Sequence, residues 1–458
     1  MNQELRIHTI KAAASALFLL LFPSSLLALN MEMVAVGDPG NVADATGFGS
    51  VPTSFAIGTY EVTNAQYAEF LNAIDPSGDN PNGVFHTGMH NESRGGILFR
   101  PHDQLGRKYS AKTVMAKKPV NFINWFDAAR FVNWLHHGKP LFSDTAASFN
   151  ARETGAYTLN NALTGTILRN AEAKWWIPSE NQWYKAAYYK KGGTNAGYWS
   201  YPTRSQSYAP PSAVTANSSG DGPGGFGNRA NFNKTANWNP STEENASAIA
   251  SPTTVGTNGD PSAYGAFDMG GNVMEINDGV FFNARGRRGG GYDSTAEFLS
   301  ASQRGTSPFG NDTTTSLDGI VAYTLATMQQ GFRVANGVAP VVAQTTRGTV
   351  YSNAVSVSSK LVDSGGAALI ECGFILSPAE NPEPVIGDQG VIKAVVPGVV
   401  SGDYGALIKV LTPGQSYTVR SFATTLADTA YGNPIQFTTA GTAENSRPTD
   451  IVLSSRTL

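Results

Sequence analysis

Apolar and polar residues in the first two thirds of the chain predict short strands and helices separated by long loops. Residues 55–62 alternate as in a half-buried strand, and Thr63 and Gln66 then have the spacing of a capping box. A helix through Tyr67 and Leu71 is therefore expected to begin at this point.

Two more helices are expected further along the chain. The first has apolar residues at helical spacing on one face, namely Trp125, Ala128, Ala129, Val132 and Leu135. The second follows Ser179 and Gln182, which repeat the capping-box spacing, and continues through Trp183. Residues 192–258 are rich in glycine, serine and asparagine and predict long loops. We expect the apolar stripes to be core rather than binding surface.

The pattern changes after Gly337, where short apolar runs alternate with glycine and proline. The runs cover residues 354–359, 368–376 and 406–411. Strands of this length at this spacing predict an all-β sandwich. Within it, Cys372 is expected to be a small buried apolar group and Tyr417 a core or corner residue.

The N-terminus has the pattern of a secretory signal peptide, with Arg6 and Lys11 followed by the apolar run Ala12–Phe22 and a small residue at Ala28. A buried helix or a membrane anchor is the alternative, but the run is short for a bilayer span of about 20 residues. We expect cleavage near Ala28, export to the periplasm, the cell surface or the medium, and no stable membrane anchor in the mature chain.

Composition narrows the choice of partners. Hydrophobic residues make up 41% and charged residues 15% of the 458 residues, with 49 glycines, which indicates a globular, loop-rich protein. A formal net charge of -3, with no run of lysine or arginine, argues against a nucleic-acid partner. The single cysteine, Cys372, excludes an intrachain disulfide.

Six short motifs follow one another between residues 31 and 336. They are Tyr60–Asn64, Lys118–Val120 with Trp125–Ala129, Ile177–Glu180 with Trp183, Gly271–Glu275, Arg288–Gly290 and Gly331–Arg333. In this order they resemble the formylglycine-generating, or sulfatase-modifying factor, family. The resemblance implies an α+β domain over residues 30–337, related to C-type lectins, with little regular secondary structure and with bound calcium.

Two family cysteines have no counterpart in this chain. In active members they follow the Arg-Gly-Gly motif and bind copper, which activates dioxygen to convert a substrate cysteine into formylglycine. Here the matching positions are Ser294 and Leu299, and Gly291 replaces a family serine. Because Cu(I) binds thiolates far better than hydroxyl or hydrocarbon groups, we expect no copper-dependent formylglycine synthesis. Whether the chain is an enzyme of another kind stays open.

Calcium is the metal that the resemblance favours. Asn272 and Glu275 match family positions that hold a calcium ion, with Asp278 nearby, and Asn231 and Phe232 match half of a second site. The expected carboxylate partner of that second site falls at Gly256. The alternative for Asn272 and Glu275 is a turn-capping asparagine and a carboxylate paired in the core.

An iron site is the other metal hypothesis. His86, His90 and Glu92 have the spacing of the iron-binding motif in sulfoxide synthases that carry this domain type. Two histidines four residues apart share a face only on a helix, whereas Gly83 and Gly88 predict a loop here. A solvated loop is therefore the favoured interpretation, and iron is not expected.

The end of the chain resembles another family. Residues 411–420 and 430–439 resemble the last strands of bacterial fibronectin type III modules. The resemblance implies that residues 340–440 form such a module, which spaces other domains or attaches the protein. The polar tail 441–458 includes Arg447–Leu453, which is similar to the opening of a further, truncated repeat.

Two functions remain open from the sequence. The first is a calcium-stabilised recognition module for a protein or glycan ligand outside the cytoplasm. It would use a pocket near Ser294 and Arg304, or exposed aromatic residues such as Trp199 and Trp238. The second is an oxygen- and metal-dependent oxidoreductase that acts on a protein or thiol substrate. A metal site able to change oxidation state would separate them.

Overall fold

The computed structural model describes residues 30–141, 145–205, 210–241, 247–281, 284–304, 329–441 and 454–455. The expected signal peptide and most of the polar tail, including Arg447–Leu453, lie outside these residues. Residues from Glu32 onward belong to one unit. Among the described helices, none combines the length and the apolar character that a bilayer crossing needs.

Short helices begin where local capping residues allow them. In the described residues they are α1 (Asn64–Ile74), α2 (Gly88–Asn91), α3 (Trp125–His136), α4 (Thr145–Glu153) and α5 (Glu180–Tyr188). The predicted capping boxes of Thr63 with Gln66 and of Ser179 with Gln182 are both formed, which confirms the starts of α1 and α5. Because Asn124 and Asp127 form a third capping box, α3 also begins at a defined residue.

Two helices differ from expectation. The sequence does not predict α4, and the loop predicted around His86 to Glu92 is wrong in part, because residues 88–91 close one helical turn. That turn is held by the backbone N–H of Glu92, which donates to the carbonyl of Gly88 over 3.1 Å.

The strands before residue 337 are short and form several small sheets. They are β1 (Met33–Val36), β2 (Phe55–Gly58), β3 (Ile97–Phe99), β4 (Tyr109–Ala111), β5 (Trp175–Trp176), β6 (Ser212–Ala213), β7 (Arg229–Ala230), β8 (Asn237–Trp238), β9 (Ile249–Ala250), β10 (Met274–Phe281), β11 (Ala284–Arg288), β12 (Gln330–Phe332) and β13 (Ala335–Asn336). One sheet has the order β1-β2-β13-β5 and another β11-β10-β12. As predicted, the described residues between 192 and 258 are mostly loop.

The sheet of β10, β11 and β12 brings distant motifs together. β10 and β12 are parallel, with Glu275 opposite Gly331, whereas β10 and β11 are antiparallel, with Glu275 opposite Arg288. Three of the six motifs therefore meet within one small sheet.

The apolar faces of the helices form the core, as the periodicity predicts. Phe70 of α1 and Phe131 of α3 meet edge to face with ring centroids 5.3 Å apart, and Phe332 packs edge-on against Phe131 at the same distance. Trp134 and Trp183 are at most 1% exposed. The helical stripes are thus core and not a binding surface.

The C-terminal part contains two further sheets. Their strands are β14 (Val341–Val342), β15 (Thr346–Val350), β16 (Ala354–Asp363), β17 (Leu369–Pro378), β18 (Ile392–Val395), β19 (Gly402–Lys409), β20 (Ser416–Thr425), β21 (Thr429–Tyr431), β22 (Ile435–Thr438) and β23 (Ser454–Ser455). One sheet has the order β14-β16-β19-β23 with β15 on β16, and the other β18-β17-β20-β21 with β22 on β20.

Both C-terminal sheets contribute to one buried cluster. Val357 and Tyr404 enter it from one sheet, and Cys372 and Val419 from the other. Cys372 is 1% exposed, as the sequence predicts, and burial raises the pKa of its thiol to about 11. The buried Tyr417 accepts a hydrogen bond from the backbone N–H of Thr412 over 2.9 Å, as a corner tyrosine does.

Candidate functional site

A buried ion pair joins the motifs at Glu275 and Arg333. Arg333 donates through Nε to Glu275 Oε2 (2.6 Å) and through Nη2 to Oε1 (2.5 Å), and Trp183 Nε1 donates to Oε2 (2.7 Å). The guanidinium also reaches the carbonyls of Gly58 and Phe267. Burial lowers the pKa of Arg333, but the Glu275 carboxylate outweighs it and the net shift is upward. Glu275 thus acts here as a core-paired carboxylate.

A second carboxylate, Glu180, accepts hydrogen bonds from two arginines. Arg288 Nε donates to Glu180 Oε1 over 2.9 Å, and Arg304 Nη2 donates to Oε2. Arg288 Nη1 also donates to the carbonyl of Gln303 over 2.8 Å. The sequence analysis placed Arg304 in a ligand pocket, but its guanidinium is engaged by Glu180.

Ser294 and Leu299 both lie close to Gly290. Gly290 has a φ of +66°, and a Cβ built on it would lie 3.2 Å from Ser294 Cβ and 3.1 Å from Leu299 Cδ1. Leu299 is 0% exposed and packs with Tyr201, Ala230 and Phe232. The hydroxyl of Ser294 accepts the backbone N–H of Gly291 over 2.9 Å. The pair therefore forms apolar packing and a turn.

Asn272 is a buried turn residue. Its φ is +59°, and its side-chain Oδ1 accepts from Thr253 N (2.8 Å), Thr253 Oγ1 (3.2 Å) and Asn231 Nδ2 (3.2 Å). At the neighbouring Gly271, a Cβ would lie 2.3 Å from the carbonyl oxygen of Asn231. The glycine is required by this close approach of two backbones.

The first predicted calcium set does not fit a calcium ion in this arrangement. Both carboxylate oxygens of Glu275 are engaged by Arg333, and the amide oxygen of Asn272 accepts from three donors. Asp278 Oδ1 instead accepts from Arg285 Nη1 over 2.8 Å, while burial raises the pKa of Asp278 to about 6. Calcium needs several oxygens that converge on one point, whereas these side chains bind different partners.

The second predicted calcium set is also dispersed. The carbonyl of Phe232 accepts from Thr235 Oγ1 over 3.1 Å, and the Oδ1 of Asn231 is buried with no partner in the described residues. Gly256, where a carboxylate was expected, donates its N–H to Asp268 Oδ2 over 2.6 Å. The calcium hypothesis therefore rests on the resemblance alone, without support from the contacts of either set.

Of the three residues with the iron-motif spacing, the two histidines take part in other contacts. His86 Nδ1 accepts from the N–H of Gly88 (3.0 Å), and His90 Nδ1 accepts from the N–H of Phe99 (3.0 Å). Burial lowers the pKa of His86. The described residues contain no group of three or more His, Cys, Asp or Glu side chains placed to hold a metal. Glu92 is exposed. The expectation that no iron binds here stays a prediction.

A cleft of about 640 Å³ opens beside Leu299. Its lining consists of Asp44–Thr46, Tyr198–Tyr201, Glu297 and Ser300–Gln303, and we call it the aromatic cleft. Trp199, one of the two aromatic residues expected to contact a ligand, is half-buried in the wall of this cleft. Trp238, the other aromatic residue expected to be exposed, is 2% exposed, so that expectation is wrong. Its Nε1 donates to the carbonyl of Pro252 in the core (3.1 Å).

A family model described as the sulfatase-modifying factor enzyme 1-like domain matches residues 43–336, well over half of the chain. The chain belongs to this family. The match covers all six motifs. No curated protein matches the chain as a whole or in part.

Several solved structures are similar to parts of this sulfatase-modifying factor protein. Treponema denticola variable protein 1 is 17% identical, with 66% of this chain and 94% of that chain covered and a TM-score of 0.33. The sensor domain of the anti-sigma factor RsgI4 in Pseudobacteroides cellulosolvens is 16% identical, with 22% and 96% covered and a TM-score of 0.18. The third fibronectin III domain of the human KIAA0343 protein is 15% identical, with 24% and 89% covered and a TM-score of 0.17. At these TM-scores, none of the three carries a functional argument.

Sequence reasoning missed two acidic residues of the aromatic cleft in this sulfatase-modifying factor domain. Asp44 and Glu297 lie far apart along the chain, and neither belongs to one of the six motifs. A local pattern cannot reveal that they face one cavity. The role of Glu180 could be found in part, because it belongs to the motif Ile177–Glu180, although its two arginine partners could not.

Proposed function

We propose that this protein is an exported recognition module built on a sulfatase-modifying factor domain, and that it does not carry out copper-dependent formylglycine synthesis. The observation that carries the proposal is Leu299, which occupies one of the two copper-ligand positions and is completely buried among apolar neighbours. A hydrocarbon side chain offers no ligand atom to a metal.

The remaining side chains do not replace the missing thiolates. The hydroxyl of Ser294 is engaged by the N–H of Gly291, and a hydroxyl is a poor ligand for soft Cu(I). The single thiol, Cys372, lies in the C-terminal core, where burial raises its pKa to about 11. At neutral pH it is therefore a neutral, buried thiol rather than a metal-binding thiolate.

Export and attachment complete the proposal. The signal-peptide pattern of residues 1–29 supports export. Two sheets over one core, with Tyr417 at a corner, support a fibronectin type III-like sandwich that spaces or attaches the recognition domain. The first domain would have the C-type-lectin-like fold of its family. Calcium is left out of the proposal because the predicted ligands have other partners.

Elemental analysis tests the proposal directly. The purified mature protein is incubated separately with copper, iron and calcium, desalted and analysed, and is then assayed under oxygen with a cysteine-containing sulfatase peptide. We expect no stoichiometric copper or iron and no formylglycine. The variant Cys372→Ser is the matched control, because copper that disappears with this thiol would come from Cys372 and not from the family site.

A redox-active metal retained at one per chain in both proteins would overturn the proposal. The oxygen-dependent oxidoreductase would then become the better description, with its ligands among residues that the six motifs do not identify.

A further inference from the structure

We propose that the aromatic cleft binds an uncharged glycan. Hydroxyl groups of the sugar donate hydrogen bonds to Asp44 and Glu297, and one sugar ring stacks on Trp199. The inference rests on the proposed recognition function and names the chemical class of its ligand.

The two carboxylates are held in position by donors of the protein. Asp44 accepts from the hydroxyl of Tyr184 and from the N–H of Ala45 (2.6 Å). Glu297 Oε1 accepts from Gln303 Nε2 over 3.0 Å. A carboxylate has about four lone-pair sites, so each group keeps acceptor capacity for a ligand hydroxyl. Oriented acceptors of this kind suit a ligand rich in O–H donors.

The charges around the cleft favour a neutral ligand. Among the described residues, its lining holds two carboxylates and no lysine or arginine. An anionic ligand would find like charge there and no cation to pair with. Just behind the lining, however, Arg288 lies 4.8 Å from the Tyr184 ring and Lys190 lies 5.0 Å above the Trp199 ring. These cations offset the carboxylates and reduce the attraction for a cationic peptide.

The other lining groups match the surface of a sugar. The C–H face of a sugar ring is apolar and packs against an aromatic face. Trp199 and Tyr198 are half-buried in the lining. Because Lys190 lies over one face of the Trp199 ring, the sugar would stack on the other face. The hydroxyls of Ser300 and Ser302 lie 2.9 Å apart, and either can act as the donor. Hydroxyls donate and accept, so they can match the alternating hydroxyls of a glycan.

The wall of the cleft is fixed before a ligand arrives. The N–H of Ala301 donates to the carbonyl of Ser200 over 2.9 Å, and Arg288 holds the carbonyl of Gln303. Tyr188 donates its hydroxyl to the carbonyl of Leu299 over 3.1 Å. A preorganised wall lowers the entropic cost of binding. This matters for sugars because they bind weakly. Leu299, at the position that matches a family copper ligand, is thus held next to the cleft-lining residues Ser300–Gln303.

A printed array tests the inference with the full mature chain. The array carries neutral, sialylated and sulfated oligosaccharides, together with an arginine-rich peptide on the same slide. The proteins compared are the parent, Glu297→Gln, Trp199→Leu and the control Glu380→Gln, which removes an exposed carboxylate in the C-terminal part. Melting temperatures of all four identify any variant that fails to fold.

We expect the parent and Glu380→Gln to bind neutral oligosaccharides. Glu297→Gln and Trp199→Leu should each weaken that binding by about tenfold or more, as expected for the loss of a charged acceptor or of an aromatic platform. If Trp199→Leu melts early, Glu297→Gln decides the question, because its change is nearly isosteric.

Three results would overturn the glycan inference. They are binding of the sialylated or sulfated glycans alone, binding of the arginine-rich peptide alone, and no binding to any spot. The first two leave the recognition function intact with a different ligand. The recognition function fails separately, through stoichiometric copper or iron in the elemental analysis.

Discussion

Arg333, directly after β12, forms a two-point ion pair with Glu275 of the parallel strand β10, and neither side chain is more than 1% exposed. Arg333 also donates a hydrogen bond to the carbonyl of Gly58 in β2. One guanidinium therefore connects the start, middle and end of the domain. Two of the six motifs therefore have a structural meaning, because they supply the two halves of this pair.

Breaking the pair from one side should destabilise the protein strongly. Glu275→Gln leaves a buried guanidinium without its counter-charge, and Arg333→Met leaves a buried carboxylate. Each should lower the free energy of unfolding by about 3–5 kcal/mol. The double variant should lose less than the two single losses combined, because no isolated charge remains. Urea unfolding of the four proteins measures the coupling, and additive losses would contradict a direct interaction.

The contribution of Asp127 to stability should fall as the pH rises towards neutrality. Burial raises the pKa of Asp127 to about 7, against about 3.9 in an unfolded chain. The folded state thus binds the proton more tightly, so this stabilisation is complete below pH ~4 and is lost as the pH rises through about 7. Asp278, with a pKa of about 6, acts in the same direction.

The variant Asp127→Asn should flatten this dependence while keeping a side-chain oxygen for the N–H of Asn124. Between pH 5 and pH 7.5, the melting temperature of the parent should fall relative to that of the variant. Asp403→Asn, at an exposed position, controls for the loss of one carboxyl group. Equal slopes for the parent and Asp127→Asn would show that Asp127 does not contribute.

Restoring the two cysteines should restore copper binding. Ser294 and Leu299 both lie close to Gly290, so Ser294→Cys combined with Leu299→Cys places two thiols in the same neighbourhood. We expect up to one Cu(I) per chain under reducing conditions, because two thiolates suit this ion. Replacing the buried leucine should also cost about 1–3 kcal/mol of stability. Each single variant is a control and should bind no stoichiometric copper, whereas a metal-free double variant would contradict this geometry.

Calcium removal should have little effect on stability. With Glu275 on Arg333 and Asn272 hydrogen-bonded to Thr253, the predicted ligands are already satisfied by the protein. We therefore expect the same melting temperature in excess calcium and in excess chelator. A clear drop with the chelator would show that a calcium ion binds the folded state and that these side chains rearrange around it.

Local patterns predicted the helices well where capping residues decide them. Thr63 with Gln66 and Ser179 with Gln182 form their capping boxes because the contacts lie within one turn. The one-turn helix at Gly88–Asn91 was missed, since two glycines in a short segment favour a loop and the surrounding fold overrides this preference.

The candidate site was predictable in part. The family resemblance pointed to Ser294 and Leu299, and ligand chemistry then argued against copper, which stays a prediction. The burial of Trp238 and the pairing of Arg304 with Glu180 could not be foreseen, because each depends on residues that are distant along the chain.

The sequence by itself determined the family and the starts of the capped helices, because each depends on residue type and short spacing. Only the tertiary structure decided which charges are paired and which residues face the aromatic cleft. Asp44 and Glu297 meet there because separate loops fold onto the same wall, and contacts between distant segments leave no periodic signal in the sequence.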